Sequence, residues 1–387
     1  MAKGEKSLKK ITKEKLAEEE KQSYIGAIPV NSHVKVKLNN EDKICKIISI
    51  RQDPLRKKDE QPNEYSYEYY IHYVEYDRRN DHWIQRKDIS DTKVTDEEIK
   101  KLKNNQIPTD EIIFHNAENE GMDEAGVAAH EEATKVRTID EIVMGNYRCC
   151  TWYFSPFPEE YHNEKTLYFC EFCLSFYVKK DELERHLQTN CLLRHPPGNE
   201  IYRDDKISMF EVDGKTESIY CENLSYLSKL FLDHKTLAWD VDPFLFYILT
   251  EYDKYGYHFV GYFSKEKDSP QGWNLSCILT LPFHQRKGYG KFLIEFSYLL
   301  SKREQKYGSP ERPLSDLGYS TYFAYWTQKI CETLRKWEGD SITINDNYII
   351  IADKKILEEL EKRTGKKGYP LHPEKLIWTP YKPKYDL

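Results

Sequence analysis

The 387-residue sequence has no long hydrophobic run and no apolar N-terminal segment. No run reaches the roughly 18 consecutive apolar residues that a membrane-spanning helix requires. The opening stretch, MAKGEKSLKKITKEKLAEEEKQ, lacks the apolar core of a secretory signal, so we expect a reducing compartment. The nine cysteines are therefore expected to be thiols, metal ligands or catalytic groups rather than disulfides.

An excess of positive charge is also missing. The formal net charge of -7 argues against overall attraction to nucleic acid, although the Lys-rich residues 3–15 form a local basic patch. We find no internal repeat. Aromatic residues are abundant at 14%, and charged residues make up 32% of a chain long enough for two or three domains with their own cores.

Composition and patterning divide the chain into four parts. We interpret residues 1–25 as a charged flexible N-terminus. Residues 26–90 contain the short β-type runs HVKVKL, CKIISI and YSYEYYIHYVEY, which predict a small all-β barrel. Residues 91–134 are interpreted as an acidic linker, because the stretch from Asp110 to Glu132 holds eight acidic residues and no Lys or Arg. Residues 135–387 predict a larger α/β or α+β domain.

Four potential metal ligands lie within 22 residues, in a segment that we place at 168–193. They are Cys170, Cys173, His186 and Cys191, with the spacing C-x2-C-x12-H-x4-C. A Cys-x-x-Cys turn directs two thiolates at one ion, and the helix-like stretch KKDELERHLQTNC returns a His and a Cys. Four protein ligands complete a tetrahedron, so we predict a structural zinc. A nucleic-acid-reading finger is the alternative, although only one finger is present.

A Gly-rich basic turn, residues 285–291, separates the β-type run WNLSCILTLPF from the helix-type run KFLIEFSYLLSKRE. Leu293, Phe296 and Leu300 lie on one face of that helix. Amides at a helix N-terminus favour an anion such as phosphate. The dinucleotide fingerprint and the Walker pattern are both absent. The remaining familiar pattern is Q/R-x-x-G-x-G/A, the pyrophosphate cradle of acetyl-CoA-dependent acetyltransferases; an ordinary tight turn is the alternative.

Acetyl transfer to lysine requires a base, because freeing an amine with a pKa of about 10.4 at pH 7 costs on the order of 4 kcal/mol. Glu311 lies in a Pro-flanked loop and is the candidate, although such carboxylates are commonly solvent-facing or capping groups. Cys277 precedes the turn within the β-type run. It is either an acyl acceptor or a packed core thiol.

Several long motifs resemble, in order, the catalytic domain of the MYST family of histone acetyltransferases over nearly all of residues 135–387. They are LRHPPGNEIYR, FLDHKTLAWDVDPFLFY, GYFSKEK, CILTLPFHQRKGYGKFLIEFSYLLSKRE and SPERPLSDLG. The Cys-Cys-His-Cys finger is also similar to that family's pattern. Residues 69–89, YYIHYVEYDRRNDHWIQRKDI, resemble the tudor-knot-like chromo barrel of the subgroup containing the Tip-sixty, MOF and essential yeast enzymes.

The resemblance implies a GNAT-like acetyltransferase core and a role for each matching residue. Glu311 is expected to be the general base, with Cys277 as the active-site cysteine beside the acetyl group. The main chain of Ile278, Leu279 and Thr280 is expected to hold the cofactor, and Ser315 to contact it. The residues expected around the pyrophosphate are Gln285, Arg286, Lys287, Gly288, Tyr289, Gly290 and Lys291. Lys235 matches a lysine that such enzymes acetylate on themselves.

Some positions depart from the family pattern. Ala324 falls where a second cofactor-side serine is common. The gap between His186 and Cys191 is four residues where relatives commonly have three, and Asp77 stands where an Asn is usual. For Tyr69, Tyr73, Tyr76 and Trp83, two interpretations remain open: a methyl-lysine cage, or core and cross-strand ring pairs.

The function implied by the resemblance is nuclear histone acetylation with acetyl-CoA as cosubstrate and structural zinc. Expected partners are nucleosomal histones, histone four among them, and subunits of a complex acting in transcription and DNA repair. Weak nucleic-acid or methyl-lysine binding is a further interpretation for the barrel. Alternatives are a catalytically silent chromatin reader or scaffold, and an acetyltransferase for non-histone proteins or small amines. The sequence leaves open whether the acetyl group pauses on Cys277 or passes directly to lysine.

Overall fold

The computed structural model describes residues 26–38, 41–53, 63–105, 136–233, 240–336, 342–344, 348–350, 354–363 and 368–381. These residues form two compact units. One contains the N-terminal β sheet, and the other contains the remaining sheets and most of the helices. Within the described ranges, no helix is both long enough and apolar enough to cross a membrane.

The N-terminal sheet has four antiparallel strands in sequential order: β1 (His33–Leu38), β2 (Glu41–Gln52), β3 (Tyr67–Tyr73) and β4 (His82–Gln85). Alternate residues of the strands fill one apolar core, including Ile47 and Ile71, which are fully buried. After β4, Ile89 forms an antiparallel bridge with Val36 of β1, and Ser90 N–H donates to the Lys35 carbonyl oxygen at 2.8 Å. The sheet therefore curls back on its first strand, in agreement with the predicted small barrel.

A helix follows the barrel inside the segment interpreted as an acidic linker. Helix α1 spans Asp96–Asn105 and begins after Thr95, whose hydroxyl accepts the Glu98 N–H while the Glu98 carboxylate accepts the Thr95 N–H. Glu98 also pairs with Lys35 of β1 at 2.8 Å. Most of the predicted linker and all of the predicted N-terminal segment lie outside the described residues, so the four-part division stays a prediction.

The second unit begins with a mixed four-stranded sheet that carries the Cys and His cluster. Its strands are β5 (Glu141–Met144), β6 (Tyr147–Cys150), β7 (Thr166–Phe169) and β8 (Phe176–Tyr177), in the order β6-β5-β7-β8. Helix α2 (Lys180–Arg185) follows β8. Phe157, Phe169 and Phe176 form edge-to-face and tilted ring pairs beneath this sheet.

A five-stranded antiparallel sheet forms the centre of the second unit. Its strands are β9 (Asn199–Arg203), β10 (Ile207–Asp213), β11 (Phe244–Asp253), β12 (Gly256–Glu266) and β14 (Ile278–Thr280), in the order β14-β12-β11-β10-β9. Helix α3 (Ser218–Lys229) joins β10 to the segment before β11, and helix α4 (Tyr289–Arg303) follows β14. Leu293, Phe296 and Leu300 of α4 are buried against this sheet, which confirms the predicted apolar face.

The remaining strands and α-helices are two short paired strands, a further pair of strands in a hairpin and two helices. Strand β13 (Trp273–Leu275) pairs in parallel with β15 (Ser309–Pro310), and helix α5 (Asp316–Lys336) follows. A hairpin of β16 (Ile342–Ile344) and β17 (Tyr348–Ile350) precedes helix α6 (Lys354–Arg363), which packs on α5. The result is a mixed α/β unit with a largely antiparallel sheet, in agreement with the predicted fold class.

Candidate functional site

The structure brings the four predicted metal ligands together. One ligand atom from each of Cys170, Cys173, His186 and Cys191 lies within 4.8 Å of every other. The Cys170 and Cys191 sulfurs are 3.8 Å apart, and the Cys173 sulfur is 3.2 Å from His186 Nε2. Zinc–sulfur bonds of about 2.3 Å at a tetrahedral angle require sulfur atoms about 3.8 Å apart. The cluster therefore fits a structural zinc, with all four positions supplied by protein.

A π-helical turn accommodates the extra residue between His186 and Cys191. Helix α2 ends at Arg185, and His186–Asn190 continue as one π-helical turn. The Cys191 N–H donates to the His186 carbonyl oxygen at 2.7 Å, five residues back along the chain. A π turn takes up one more residue than an α turn and is frequent at functional sites. The four-residue gap therefore still returns Cys191 to the cluster.

The thiols of the cluster are electrostatically coupled. The hydrogen bond with Cys170 lowers the pKa of Cys173 to about 4, and Ser175 and His186 add to this effect. The same hydrogen bond, together with burial, raises the pKa of Cys170. Because zinc binds cysteine as the thiolate, a zinc ion held by these residues would displace the thiol protons of the cluster.

The predicted base and the predicted active-site cysteine are joined through two parallel strands. Leu275 of β13 is paired with Pro310 of β15, and the Glu311 N–H donates to the Leu275 carbonyl oxygen at 2.8 Å. Glu311 is half-buried and lies directly after β15. Cys277, also half-buried, lies two residues after Leu275. The two residues thus follow the same end of this strand pair.

The apolar run that predicted one continuous strand is interrupted at Ser276 and Cys277. Both residues bond to Ser264 of β12: the Ser276 N–H donates to the Ser264 carbonyl oxygen at 2.8 Å, and the Cys277 N–H to the Ser264 hydroxyl at 3.1 Å. Cys277 therefore lies in a break between β13 and β14 rather than within a strand. Both amides therefore already have acceptors within the fold.

Alternate residues of the edge strand β14 direct their main-chain N–H and C=O groups away from the sheet. Cys277 and Leu281 bond to β12, since the Ser264 N–H donates to the Cys277 carbonyl oxygen and the Leu281 N–H to Val260. In an antiparallel ladder such bonds alternate, so Leu279 also faces β12, while Ile278 and Thr280 face outward. Of the predicted trio, Ile278 and Thr280 therefore direct their main-chain groups away from β12, and the Thr280 carbonyl oxygen accepts a hydrogen bond from the Gln285 side chain.

The turn between β14 and α4 contains two residues in the left-handed backbone conformation and is held by one side-chain hydrogen bond. Arg286 has a φ of 61° and Gly288 a φ of 98°. Gln285 Nε2 donates to the Thr280 carbonyl oxygen at 3.0 Å, which holds the turn against the end of β14. The first helical bond of α4 runs from the Phe292 N–H to the Gly288 carbonyl oxygen. The first amides of a helix have no acceptor inside it, as in anion sites at helix N-termini, and the Gln285 N–H at the start of this turn donates to the Pro282 carbonyl oxygen at 3.2 Å.

Three cationic side chains belong to this turn and the start of α4, two of them exposed and one half-buried. Arg286 and Lys287 are exposed. Lys291, in the first turn of α4, is half-buried, and burial lowers the pKa of its ammonium. A bound dianion would favour the charged form of Lys291 again. Three cationic side chains therefore lie in the turn and the first turn of α4.

Sequence reasoning missed a buried cluster beneath this turn. Tyr289 is buried, its hydroxyl donates to the Glu251 carboxylate of β11, and its ring stacks on Tyr369 with centroids 5.0 Å apart. His284 is 3% exposed, and burial lowers its pKa to about 4. Lys287, whose ammonium is 3.5 Å from His284 Nδ1, adds to that lowering. No local motif signals this cluster, because its members come from three distant segments.

The other predicted contacts lie on or near α5. Ser315 caps α5, since its hydroxyl oxygen accepts the Gly318 N–H at 3.1 Å; its own O–H can still donate. Ala324 is half-buried on the same helix. Lys235, the predicted autoacetylation site, lies outside the described residues.

Two of the four aromatic residues considered for a methyl-lysine cage lie in the barrel core. Tyr69 and Tyr73 are buried in the barrel core, and the Tyr69 hydroxyl donates to the Glu64 carbonyl oxygen at 2.8 Å. The Trp83 ring already faces a cation, because the Arg51 guanidinium lies 4.1 Å from its centroid. For Tyr69 and Tyr73, the interpretation as core rings is the one that the structure supports.

Three family models match the chain. The model described as the MOZ/SAS family matches residues 195–368, and the MYST family zinc finger domain matches residues 136–191. The model described as the RNA binding activity-knot of a chromodomain matches residues 28–91. The first match contains the residues of the turn and Glu311, and the second contains all four clustered ligands.

Named relatives match across most of their own lengths. Histone acetyltransferase of the MYST family 2 from Arabidopsis thaliana is 48% identical over 352 residues, which cover 82% of this chain and 78% of the relative. Putative MYST-like histone acetyltransferase 1 from Oryza sativa subsp. japonica is 44% identical, with coverages of 93% and 87%. Histone acetyltransferase ESA1 from Saccharomyces cerevisiae is 38% identical, with coverages of 89% and 91%.

Proposed function

Because this chain belongs to the MYST family of histone acetyltransferases and is an acetyl-CoA-dependent lysine acetyltransferase, we propose that it acetylates nucleosomal histone tails with Glu311 as general base. One observation carries the assignment of the base. The Glu311 main chain, directly after β15, is hydrogen-bonded to Leu275, two residues before Cys277, and this supports a position of Glu311 at the same end of the strand pair as Cys277. A main chain held against a neighbouring strand restricts where its side chain can lie.

Glu311 supplies the step that lysine chemistry needs. At pH 7 a lysine amine is protonated, and its ammonium has no lone pair with which to attack. In our proposal, Glu311 accepts that proton, and the neutral amine then attacks the activated acyl carbon that acetyl-CoA supplies as a thioester. The new C–N bond forms and the C–S bond breaks. The nitrogen then loses its second proton, which neutralises the departing thiolate, so coenzyme A leaves as the thiol, and Glu311 returns its own proton to solvent. The substrate amine is the proton donor, so no further reactant is required.

The turn at 285–291 and the edge of β14 are the proposed cofactor site. Amides at the start of α4 and the cations Arg286, Lys287 and Lys291 suit a diphosphate. The outward main-chain groups of Ile278 and Thr280 suit an extended amide-bearing arm that adds alongside β14. Ser315 remains a proposed contact, through its O–H.

Cys277 lies close enough in sequence and fold to take either of two roles. In a ping-pong route its thiolate would take the acetyl group from the thioester before the lysine amine does. In a direct route it only lines the site. Single-turnover kinetics of Cys277→Ser separates the two: near-normal transfer excludes an obligatory acyl-cysteine, and a complete loss with cofactor binding intact requires one.

The zinc of this protein has a structural role, since the four protein ligands leave no coordination position for a reacting group. We further propose nuclear location, autoacetylation at Lys235, and membership of a complex that acetylates histone four in transcription and DNA repair. Support for these proposals is the similarity to the named histone acetyltransferases.

For the barrel we propose weak nucleic-acid binding rather than methyl-lysine recognition. The match to the RNA binding activity-knot supports this, as does the buried state of Tyr69 and Tyr73. If phosphate contacts dominate, the affinity of the purified chain for single-stranded RNA should fall roughly tenfold or more between 50 and 200 mM salt. The proposal would be contradicted if a trimethyl-lysine peptide bound as tightly as the RNA and kept its affinity at high salt.

One assay tests the substrate class. Labelled acetyl-CoA is supplied with nucleosomes, free histones or polyamines, together with the purified chain. We expect transfer to the histone substrates. Transfer to polyamines alone would indicate a small-amine acetyltransferase, and no transfer in the presence of bound acetyl-CoA would favour the silent scaffold.

A further inference from the structure

Residues 368–378, which we name the C-terminal strap, lie along helix α4 and reach the cofactor turn. At its beginning, an added Cβ on Gly368 would lie 3.1 Å from the Lys291 Cβ and 3.4 Å from the Gly288 carbonyl oxygen. Reciprocally, a Cβ on Gly288 would lie 3.1 Å from the Gly368 Cα and 3.2 Å from the Tyr369 nitrogen. The two backbones are therefore in direct contact, at the turn where the diphosphate is proposed to bind.

The other end of the strap is fixed to the far edge of the central sheet. The strap extends the sheet beyond β9 through one antiparallel bridge and one main-chain hydrogen bond of 2.9 Å. An indole hydrogen bond of 2.6 Å and an ion pair add to this attachment. The contacting pairs are Leu376 with Tyr202, Ile377 with Ile201, Trp378 with Glu211, and Lys375 with Asp204.

Tyr369 connects the strap to the base of the turn. Its ring stacks on the buried Tyr289 ring with centroids 5.0 Å apart and planes 14° apart. Tyr289 is the first residue of α4, and its hydroxyl is bonded to Glu251 of β11. Tyr369 and Ile278 also pack against the same core cluster. The position of the turn relative to the sheet therefore depends on a stack of strap, Tyr289 and β11.

We propose that the C-terminal strap positions the diphosphate-binding turn, and that Tyr369 is its positioning residue. This inference rests on the proposed function, because it assumes that the turn binds the diphosphate of acetyl-CoA. Tyr369 acts through Tyr289 and the Gly288 backbone rather than by touching the reacting atoms. Loss of its ring lets the turn shift, so the amides no longer converge on the diphosphate. The catalytic residues at the ends of β13 and β15 stay in place.

The test compares two acetyl donors. Acetyl-CoA carries the 3′-phospho-ADP group, which contains the diphosphate, and S-acetyl-pantetheine has the same thioester arm without that group. We measure kcat/KM for both donors in full-length wild type and in Tyr369→Ala, Tyr369→Phe and Tyr381→Ala. We expect Tyr369→Ala to lose about fivefold or more with acetyl-CoA, through KM, and to change little with S-acetyl-pantetheine. Tyr369→Phe keeps the stacked ring and should behave like wild type, as should the exposed control Tyr381→Ala.

The outcomes separate the inference from its premise. Equal losses with both donors, or no loss with either, would overturn the positioning role of Tyr369. A wild-type protein that shows no preference for acetyl-CoA over S-acetyl-pantetheine would instead overturn the proposed diphosphate site. Gly368→Ala is a second test that leaves every aromatic ring intact. Its new Cβ would press on Lys291, so we expect the same loss of kcat/KM with acetyl-CoA and little change with S-acetyl-pantetheine. An equal loss with both donors would contradict the role of the strap.

Discussion

The Glu311 N–H donates to the Leu275 carbonyl oxygen at 2.8 Å, which couples the proposed base to the strand that leads into Cys277. Strands β13 and β15 therefore act as one unit at the reaction site. The register of this pair sets where the carboxylate stands relative to the edge of β14. A change that separates β13 from β15 should accordingly affect catalysis more than cofactor binding.

Gly308→Ala tests this coupling. A Cβ at Gly308 would lie 2.7 Å from the side chain of the buried Asn274 in β13, so β15 must move away. We expect kcat to fall by about ten- to hundredfold, because small displacements of a catalytic group are costly. The KM for acetyl-CoA should change little. Steady-state kinetics with a free histone substrate measures both, and a rise in KM with unchanged kcat would contradict the coupling.

Gly288→Ala should weaken acetyl-CoA binding and destabilise the fold. The residue has a φ of 98°, and its new Cβ would meet the strap backbone at 3.1 Å. We expect a loss of about 1–3 kcal/mol in the free energy of unfolding. Gly272→Ala is the matched control, since its φ is 70° but its Cβ would have nothing within 4 Å. Calorimetric titration with coenzyme A should show loss of affinity in Gly288→Ala only; equal effects in both variants would mean that backbone strain, not the strap contact, dominates.

Cys191→Ser should remove zinc and destabilise the finger. The substitution removes one of four ligands from a site whose metal contributes directly to folding, so we expect a loss on the order of 3 kcal/mol. Metal analysis and thermal unfolding provide the measurements. Cys150→Ser, at an exposed position outside the cluster, is the control and should keep one zinc per chain. Full zinc content in Cys191→Ser would show that this residue is not a ligand.

His284 predicts a pH dependence of stability. Its folded-state pKa is about 4, lowered by burial and by Lys287 and His258 against the opposing effect of Glu251. The unfolded value is about 6.5, so between these two pH values only the unfolded chain binds the proton. The free energy of unfolding therefore falls as the pH drops below about 6.5, by about 2 kcal/mol at pH 5 from this group.

The measurement is urea unfolding of wild type and His284→Gln at pH 7.5 and pH 5. Other groups titrate in this range, so the informative quantity is the difference between the two proteins. The variant should lose less stability on acidification than wild type. Identical losses would show that His284 is protonated in the folded protein at pH 5.

Much of the architecture follows from local sequence signals. The period of Leu293, Phe296 and Leu300 predicts α4, and the ligand spacing predicts that two pairs of residues converge on one ion. These features depend on residues close together in sequence, where helix and turn geometry restrict the outcome. The small barrel likewise follows from short β-type runs separated by polar turns.

The features that the sequence did not reveal depend on distant partners. The break at Cys277 arises because Ser264, on a neighbouring strand, bonds to both Ser276 and Cys277. The run itself is mostly apolar and resembles one strand. The π turn after His186 could not be located from spacing, since one extra residue can be placed at several points of a helix end. The stack of Tyr369 on Tyr289 joins residues 80 positions apart without any periodic pattern.

The rate of Glu311→Gln as a function of pH tests the central claim most directly. Glutamine keeps the shape of the side chain but cannot accept the proton of the lysine ammonium. We predict a fall of about 100-fold or more in kcat/KM near pH 7 that diminishes as the pH rises, because the amine then loses its proton to solvent. Coenzyme A binding, followed by calorimetry, should be unchanged. A variant that works as fast as wild type at pH 7 would contradict the assignment of Glu311 as the base.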